Sequence, residues 1–257
     1  MKKSQHKLNQ EIEAFIKDKD SKNESYSQAD IDFIQLYEGS GGQGSKGAKG
    51  TGLLYEFYTP DYICELMYDL AVKHGYDGGP VLEPAIATGR IIKPFPDKSK
   101  ITAFETNPVT ARICQITYPE ATIHTGYFET AFLKAPRFTE RLQSRPVNIP
   151  TWLEDYPFSL VIGNPPYGKY KNKYSSYFKK PKMQQIELFF MYYGLKLLKP
   201  DGLLVYISSS NFLRNGINYN QEKQEIGKIT NLVDAYRLPP VFKSSQVPTD
   251  ILVFKRK

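Results

Sequence analysis

The stretch Phe158-Ser159-Leu160-Val161-Ile162-Gly163-Asn164-Pro165-Pro166-Tyr167-Gly168 runs from an apolar segment directly into two prolines. The apolar residues predict a buried strand, and the prolines force the chain to leave the sheet in a stiff, extended turn. In open α/β sheets, ligand sites lie at this carboxyl edge. Because proline donates no N–H, the turn offers mainly oxygen acceptors and a tyrosine ring, which favour a planar substrate that carries an amino group.

Apolar strands and helical patterns alternate along the chain on both sides of this turn. Strands are predicted over residues 81–82, 101–104, 121–123, 158–162 and 203–207, and helices over 60–74, near Arg90, over 108–118 and over 184–198. The alternation predicts right-handed crossovers and an α/β fold with a mostly parallel, doubly wound sheet. The final strands, 231–238 and 250–254, have no helical pattern between them, so they predict an antiparallel hairpin at the C-terminal edge of the sheet.

Composition excludes several classes of protein. The chain has 257 residues, of which 40% are hydrophobic, so a wholly disordered or fibrous protein is excluded. Cys64 and Cys114 lie far apart and only three histidines accompany them, so we expect neither a disulfide framework nor a metal site. No apolar run approaches the roughly 18 residues of a membrane span, and the N-terminus lacks the apolar core of a signal peptide. We therefore expect a cytoplasmic protein without a membrane partner.

Positive charge is concentrated in the second part of the chain. Residues 1–155 carry 18 basic and 21 acidic side chains, a net charge of −3, whereas residues 156–257 carry 16 and 6, a net charge of +10. This asymmetry predicts a polyanionic partner for the second part.

The N-terminal region differs from the rest in composition. Residues 1–38 contain two short, polar helical patterns, and seven of the 18 glycines lie between Gly39 and Gly52. We interpret residues 1–52 as a helical arm with a flexible glycine-rich loop, and residues 53–257 as one folded domain. The glycine pattern in the loop does not indicate a dinucleotide site, because no strand precedes it.

The tetrapeptide Asn164-Pro165-Pro166-Tyr167 after an apolar strand resembles the catalytic signature of S-adenosylmethionine-dependent amino methyltransferases, especially the adenine-N6 DNA methyltransferases. Similar tetrapeptides occur in glutamine-N5 protein methyltransferases and guanine-N2 RNA methyltransferases, so this motif alone leaves those alternatives open. The resemblance implies that residues 53–257 form a Rossmann-like methyltransferase catalytic domain with S-adenosylmethionine as cofactor.

Two acidic strand ends upstream resemble the cofactor motifs of this family. The segment Glu83-Pro84-Ala85-Ile86-Ala87-Thr88-Gly89 is similar to the first motif, in which the acidic residue would accept from the ammonium group of the cofactor. Ala87 stands where the family generally has glycine, so a positive φ at this position would be strained by about 1 kcal/mol. Glu105 matches the acidic residue that such proteins use on the ribose hydroxyls.

Two shorter segments extend the resemblance. Phe57-Tyr58-Thr59-Pro60 resembles the Phe-Tyr-Thr-Pro element of DNA adenine methyltransferases whose cofactor half precedes the catalytic half. Thr59 is also the predicted N-cap of the helix over 60–74. In Gly126-Tyr127-Phe128-Glu129, Tyr127 interrupts the usual Gly-Asp pair, so Glu129 becomes the candidate for contacting the adenine ring of the cofactor.

The loop after the catalytic turn, residues 168–182, holds six lysines and three tyrosines but no acidic residue, and we call it the Lys-Tyr loop. Lysines neutralise phosphates and aromatic rings stack on bases, so this loop predicts contact with nucleic acid. The alternative is a solvated, charged surface. The candidate contacts are Lys169, Tyr170, Lys171, Lys173, Tyr174, Lys179, Lys180 and Lys182.

Together the resemblance of these motifs implies a site-specific adenine-N6 methyltransferase acting on DNA, of the kind found in restriction-modification systems. A protein glutamine or RNA guanine methyltransferase remains an alternative, as does a non-catalytic DNA-binding subunit. Members of the resembled family usually continue into a target-recognition region, and none is visible after the strand over 250–254. Recognition would therefore come from a separate subunit or domain, or from the arm and the Lys-Tyr loop.

Overall fold

The computed structural model describes residues 4–38, 58–132, 158–171, 174–178, 181–214, 220–242 and 248–257. The α-helices in these ranges are α1 (Gln5–Ser21), α2 (Gln28–Ile34), α3 (Asp61–Lys73), α4 (Pro108–Thr117), α5 (Ile186–Lys196) and α6 (Asn220–Ile229). The strands are β1 (Val81–Glu83), β2 (Ile101–Glu105), β3 (Thr122–Thr125), β4 (Phe158–Gly163), β5 (Leu198–Ser209), β6 (Thr230–Arg237) and β7 (Thr249–Arg256).

These strands form one sheet in the order β3-β2-β1-β4-β5-β7-β6. The first five strands in this order pair in parallel, and β7 is antiparallel to both β5 and β6. The predicted α/β class, with a mostly parallel, doubly wound sheet and an antiparallel C-terminal hairpin at its edge, is confirmed.

Side chains that alternate along the central strands pack into two separate cores, one on each face of the sheet. Val161 of β4 packs in one core with Leu204 and the helix α5, whereas its neighbours Leu160 and Ile162 pack in the other with α3. All six residues of β4 are buried. A strand covered on both faces requires a continuous apolar run, which is the pattern that the sequence shows just before Asn164.

Three local predictions were wrong. The segment near Arg90 forms hydrogen-bonded turns instead of a helix, because Gly89 has a φ of +81° and Pro94 cannot donate to a helical ladder. The N-cap of α3 is Pro60, and the Thr59 side chain makes no capping hydrogen bond. The strand β5 begins at Leu198, five residues earlier than predicted, because a Lys-Pro-Asp-Gly turn at 199–202 bulges out of the pairing with β4.

The helix α6 was not predicted. Its sequence is polar, and its buried residues are Glu222 and Ile226. Ile226 and Ile229 are the only apolar residues of this helix besides Gly227, so its sequence is typical of a polar loop.

The helices of the N-terminal arm pack against α4. Ile12 and Ile34 are fully buried in a small core with Ile113 of α4. The guanidinium of Arg112 donates two hydrogen bonds, of 2.9 and 2.6 Å, to the carboxylate of Asp20. The described part of the arm is therefore a docked layer with its own core. The domain division at residue 52 stays a prediction, because residues 39–57 lie outside the described ranges.

Within the described ranges, every helix is too short or too polar to cross a membrane.

Candidate active site

A cleft opens at the carboxyl ends of β1, β2 and β4, and its empty space, including the open solvent at its mouth, is about 750 Å³. Its lining comes from the start of α3, the turn after β1, the end of β2, the beginning of α4 and the turn after β4. The lining residues are Tyr58, Thr59, Ala85, Ile86, Ala87, Thr88, Arg90, Ile91, Glu105, Thr106, Thr110, Asn164 and Pro166.

The side-chain amide of Asn164 is held from two sides. Its Nδ2 donates to Thr59 Oγ1 over 3.3 Å, and its Oδ1 accepts from the Tyr167 hydroxyl over 2.9 Å. The same hydroxyl lies 3.3 Å from the carbonyl oxygen of Ile207 in β5. Burial raises the pKa of Tyr167 well above its usual value, so this hydroxyl stays a protonated donor. The amide orientation at the cleft is therefore fixed by its neighbours.

Thr59 joins the predicted Phe-Tyr-Thr-Pro element to the catalytic turn. Thr59 is buried, and its hydroxyl oxygen faces Asn164, a residue 105 positions further along the chain. Tyr58 also lines the cleft, and Pro60 occupies the N-cap position of α3 without a side-chain cap. Phe57 lies outside the described residues. The structure thus brings together two motifs that the sequence could only place in order.

The turn after β1 adopts an unusual backbone conformation. Ala87 has a φ of +51°, and its N–H donates to Glu105 Oε2 over 2.9 Å. The other carboxylate oxygen of Glu105 accepts from the N–H of Asn107 over 2.7 Å. A Cβ at Gly89 would lie 2.6 Å from the ring of Tyr118, so only glycine fits there. The positive φ considered for Ala87 from the sequence is present. Ala85, Thr88 and Glu105 line the cleft, and their contact with a cofactor stays a prediction.

Glu83 is placed differently from expectation. Its carboxylate is fully buried under the turn, where Oε1 accepts from the N–H of Ala85 over 3.2 Å. A Cβ on Gly163 would lie 2.6 Å from Oε1, so this glycine makes room for the carboxylate. Burial raises the pKa of Glu83 well above its ordinary value. Pro84 is buried as well. Glu83 does not line the cleft, and its contact with a cofactor ammonium group stays a prediction without support from this geometry.

Glu129 lies outside the cleft. It is buried in a short 3-10 helix, Phe128–Phe132, and its Oε1 accepts from the hydroxyl of Tyr170 over 3.2 Å. Its predicted contact with the adenine ring of the cofactor stays a prediction without support from this geometry, and its buried side chain ties this segment to the Lys-Tyr loop.

The Lys-Tyr loop separates into exposed lysines and packed tyrosines. Lys169, Lys171 and Lys182 are exposed. Tyr170 stacks on Phe189 with ring centroids 4.1 Å apart, and Tyr174 is fully buried in the core beside α5. The fully buried Tyr174 ring offers no face to a base, which corrects its predicted base-stacking role. Tyr170 is half-buried with one ring face on Phe189, and its contact with a base stays a prediction. Burial raises the pKa of Tyr174 to about 12. The remaining candidates, Lys173, Lys179 and Lys180, lie outside the described residues.

Arg90 is a cleft residue that the sequence analysis missed. Its guanidinium carbon lies 5.6 Å from the centroid of the Tyr58 ring, and both residues line the cleft. The sequence signal was its position directly after Gly89, at the end of the resembled cofactor motif.

The sheet order, with its antiparallel last strand and a cleft at the ends of β1, β2 and β4, defines the class I methyltransferase fold. The sequence model of the Eco57I restriction-modification methylase family matches residues 97–242. This match covers more than half of the chain, and the chain belongs to that family.

Several known proteins are similar to this chain in sequence or in fold. A stretch of 207 residues, 80% of the chain, is 27% identical to "Defense against restriction protein B" of Escherichia phage P1, and it spans only 8% of that protein. Two solved structures share the fold at a TM-score of 0.60 over 90% of this chain. One is assigned to the class I S-adenosylmethionine-dependent methyltransferases of Listeria monocytogenes, with 16% identity over 69% of its chain. The other is a modification subunit assigned to a type I restriction enzyme of Vibrio vulnificus YJ016, with 18% identity over 50% of its chain.

Proposed function

We propose that this protein transfers a methyl group from S-adenosylmethionine to the exocyclic N6 amine of adenine in DNA. The observation that carries the proposal is the Asn164 amide, which Thr59 and Tyr167 hold at the edge of the cleft. A side-chain oxygen in a fixed orientation beside a backbone carbonyl is suited to accept hydrogen bonds from an amino group. Membership in a restriction-modification methylase family supports DNA as the substrate.

The residues around the cleft fit the proposed cofactor. Small side chains at Ala85 and Ala87 allow a ligand to approach the backbone closely, and Glu105 offers carboxylate oxygens to ribose hydroxyls. The cofactor supplies, when bound, the electrophilic methyl group of its sulfonium. Asn164 and Glu105 line one continuous cleft, which would bring the amine and the cofactor together.

The chain's contribution to the reaction is positioning. The target base would leave the duplex at a cost of a few kcal/mol, and the N6 amine would donate to Asn164 Oδ1 and to the carbonyl oxygen of Pro165. These contacts would turn the nitrogen lone pair out of conjugation with the ring. The flipped base would stack on the ring of Tyr167. The Tyr167 hydroxyl, which now donates to Asn164 Oδ1, would release this acceptor or share it with the N6 amine. Orientation of the reacting groups and fixed dipoles would then account for most of the rate acceleration, and no protein nucleophile is needed.

The chain's place in a larger assembly is also a proposal. The exposed lysines of the Lys-Tyr loop would contact phosphates, which carry no sequence information. Site-specific recognition would therefore need a separate target-recognition subunit or domain, or the N-terminal arm. A cytoplasmic location is likewise an expectation from the sequence.

Parallel transfer assays test the substrate class. The protein is incubated with tritiated S-adenosylmethionine and, separately, with DNA, RNA or a protein extract. We expect tritium in DNA alone, and digestion to nucleosides should recover it as N6-methyladenine. Label in RNA or protein instead would favour the alternative methyltransferases.

Calorimetry with S-adenosylmethionine tests the non-catalytic alternative. A DNA-binding subunit without enzyme activity should give no heat of cofactor binding, whereas the proposed enzyme should bind it with a single site.

A further inference from the structure

The cleft contains opposite charges at separate positions. Arg90 is the one cationic side chain, and Glu105 the one acidic side chain, among the described residues that line it. Glu105 ends β2 and accepts from two backbone N–H groups, whereas Arg90 follows the turn after β1. A ligand with hydroxyls at one end and a negative group at the other would match this arrangement.

The backbone and the ring beside Arg90 hold its guanidinium in the cleft. Gly89, with its φ of +81°, fixes the chain direction just before Arg90, and no Cβ fits at that position. On the other side, the Tyr58 ring lies 5.6 Å from the guanidinium carbon, within reach of a cation–π contact. The guanidinium is therefore presented at the cleft wall, where its five N–H donors can meet a planar anion.

Arg90 has a weak partner in the N-terminal arm. Its Nη2 lies 3.8 Å from Glu38 Oε1, and the Glu38 side chain is 48% exposed. Charge-assisted hydrogen bonds are much shorter, at about 2.7 to 2.9 Å. A long, exposed ion pair of this kind contributes little and can be replaced by a better-placed anion.

The position of Glu38 is nonetheless determined by the fold. The buried side chain of Asn9 in α1 donates from Nδ2 to the Glu38 carbonyl oxygen over 2.6 Å. The N–H of Glu38 in turn donates to Asn9 Oδ1 over 3.3 Å. The arm therefore holds a carboxylate beside the Arg90 guanidinium of the cleft.

From these contacts we infer that Arg90 binds the carboxylate of the amino-acid end of S-adenosylmethionine, and that Glu38 is the partner which this carboxylate displaces. The inference rests on the proposed function, because it assumes that the cleft takes this cofactor. A carboxylate can receive two parallel N–H bonds from a guanidinium, a geometry that the distant Glu38 does not achieve. The N-terminal arm is then part of the cofactor site.

Calorimetry with two matched ligands tests the role of Arg90. S-adenosylmethionine and its decarboxylated form differ only in the carboxylate, so the ratio of their dissociation constants measures the contribution of that group. We expect the wild-type protein to prefer the intact cofactor by about 10- to 100-fold. In Arg90→Met this preference should fall towards one, and Arg90→Lys should keep part of it.

Lys93→Met is the matched control. Lys93 lies three residues away, pairs with Asp61 over 2.5 Å and does not line the cleft, so its removal should leave the preference unchanged. Circular dichroism of both variants checks that they fold. An equal loss of preference in Lys93→Met would assign the effect to general charge and overturn the inference.

Glu38→Gln tests the displaced partner. Removing the competing carboxylate should tighten binding of the intact cofactor by up to about fivefold, the range of an exposed ion pair. The same change in the Arg90→Met background should have no effect. Tighter binding in both backgrounds would contradict a competition through Arg90.

Failure of the inference can be separated from failure of the proposed function. If the wild-type protein binds neither ligand, both are overturned. If it binds both ligands and Arg90→Met retains the wild-type preference, only the assignment of Arg90 is wrong.

Discussion

The side-chain amide of Asn164 donates to the hydroxyl oxygen of Thr59 over 3.3 Å, and this bond joins the turn after β4 to the start of α3. Asn164 sits between this contact and the Tyr167 hydroxyl, so its amide plane has one orientation in the cleft. A group whose orientation is set before the substrate arrives costs no reorganisation during the reaction. The geometry of this one amide underlies the first two predictions.

Asn164→Ala should abolish methyl transfer and leave cofactor binding nearly intact. The substitution removes the amide oxygen that would accept from the N6 amine, whereas Glu105 and Arg90 remain in place. Tritium transfer to DNA and calorimetry with S-adenosylmethionine measure the two effects separately. Asn231→Ala, on the exposed edge strand β6, is a control with the same atomic change. Wild-type transfer rates in Asn164→Ala would refute the catalytic assignment.

Thr59→Val should lower kcat more than it raises KM for DNA. The variant keeps the shape of the buried side chain but removes the acceptor for Asn164 Nδ2, so the amide loses the hydrogen bond that orients its nitrogen. A neutral hydrogen bond contributes about 0.5 to 1.5 kcal/mol, which corresponds to roughly a two- to tenfold lower rate. Steady-state kinetics with Thr59→Ser as the control should show recovery, because serine restores the hydroxyl. A serine variant as slow as the valine variant would point to packing instead.

Ala87→Gly should stabilise the protein. Ala87 has a φ of +51°, which costs an L-residue about 1 to 2 kcal/mol, and glycine adopts this conformation without strain. Part of this gain is lost because glycine adds about 0.4 to 1 kcal/mol of unfolded-chain entropy. We expect a net increase of roughly 0.5 kcal/mol in the free energy of unfolding, measured by urea denaturation. Ala85 has no positive φ for glycine to relieve, so the neighbouring variant Ala85→Gly should destabilise the protein.

The strands and the catalytic turn could be predicted because their signals are local. An apolar run followed by two prolines fixes both the burial of β4 and the exit of the chain at Asn164. The antiparallel pair at the sheet edge could be predicted because no helical pattern lies between the last two strands. The two cores required only the alternation of side chains along each strand.

The contacts within the site could not be predicted, because they join residues far apart in the chain. Nothing in the sequence near Thr59 distinguishes an N-cap from an acceptor for Asn164, since a hydroxyl serves either role. Tyr174 shows the same limit: its pattern among lysines resembles a stacking platform, yet its ring is buried beside α5. Aromatic residues fit both roles, and only packing decides between them.

Replacing Lys169, Lys171 and Lys182 by glutamine should flatten the salt dependence of DNA binding. These three lysines are the exposed, described members of the Lys-Tyr loop. Each lysine that contacts a phosphate adds about 0.9 to the slope of log K against log salt concentration, so the slope should fall by up to about 2.7. Fluorescence anisotropy over a salt series measures it. Tyr174→Phe, which changes only a buried hydroxyl, is the control, and an unchanged slope in the triple variant would mean that the loop is merely solvated.

Glu83→Gln should change how stability depends on pH. Burial raises the pKa of Glu83 above its ordinary value of 4.5, so the folded state favours the protonated carboxyl. Below pH 4.5 the Glu83 carboxyl is protonated in both the folded and the unfolded state, so its burial does not make stability depend on pH. As the pH rises from 4.5 towards the raised folded pKa, the carboxyl ionises in the unfolded state first, and the free energy of unfolding falls. Glutamine cannot ionise, so the ligand-free variant should gain stability relative to the wild type across this window, most at neutral pH.

Urea denaturation at pH 4.5, 6 and 8 measures the difference. Glu65→Gln, on the solvent-exposed side of α3, should show no such trend. A gap between Glu83→Gln and wild type that stays constant with pH would mean that the buried carboxylate is compensated as an anion in the folded protein.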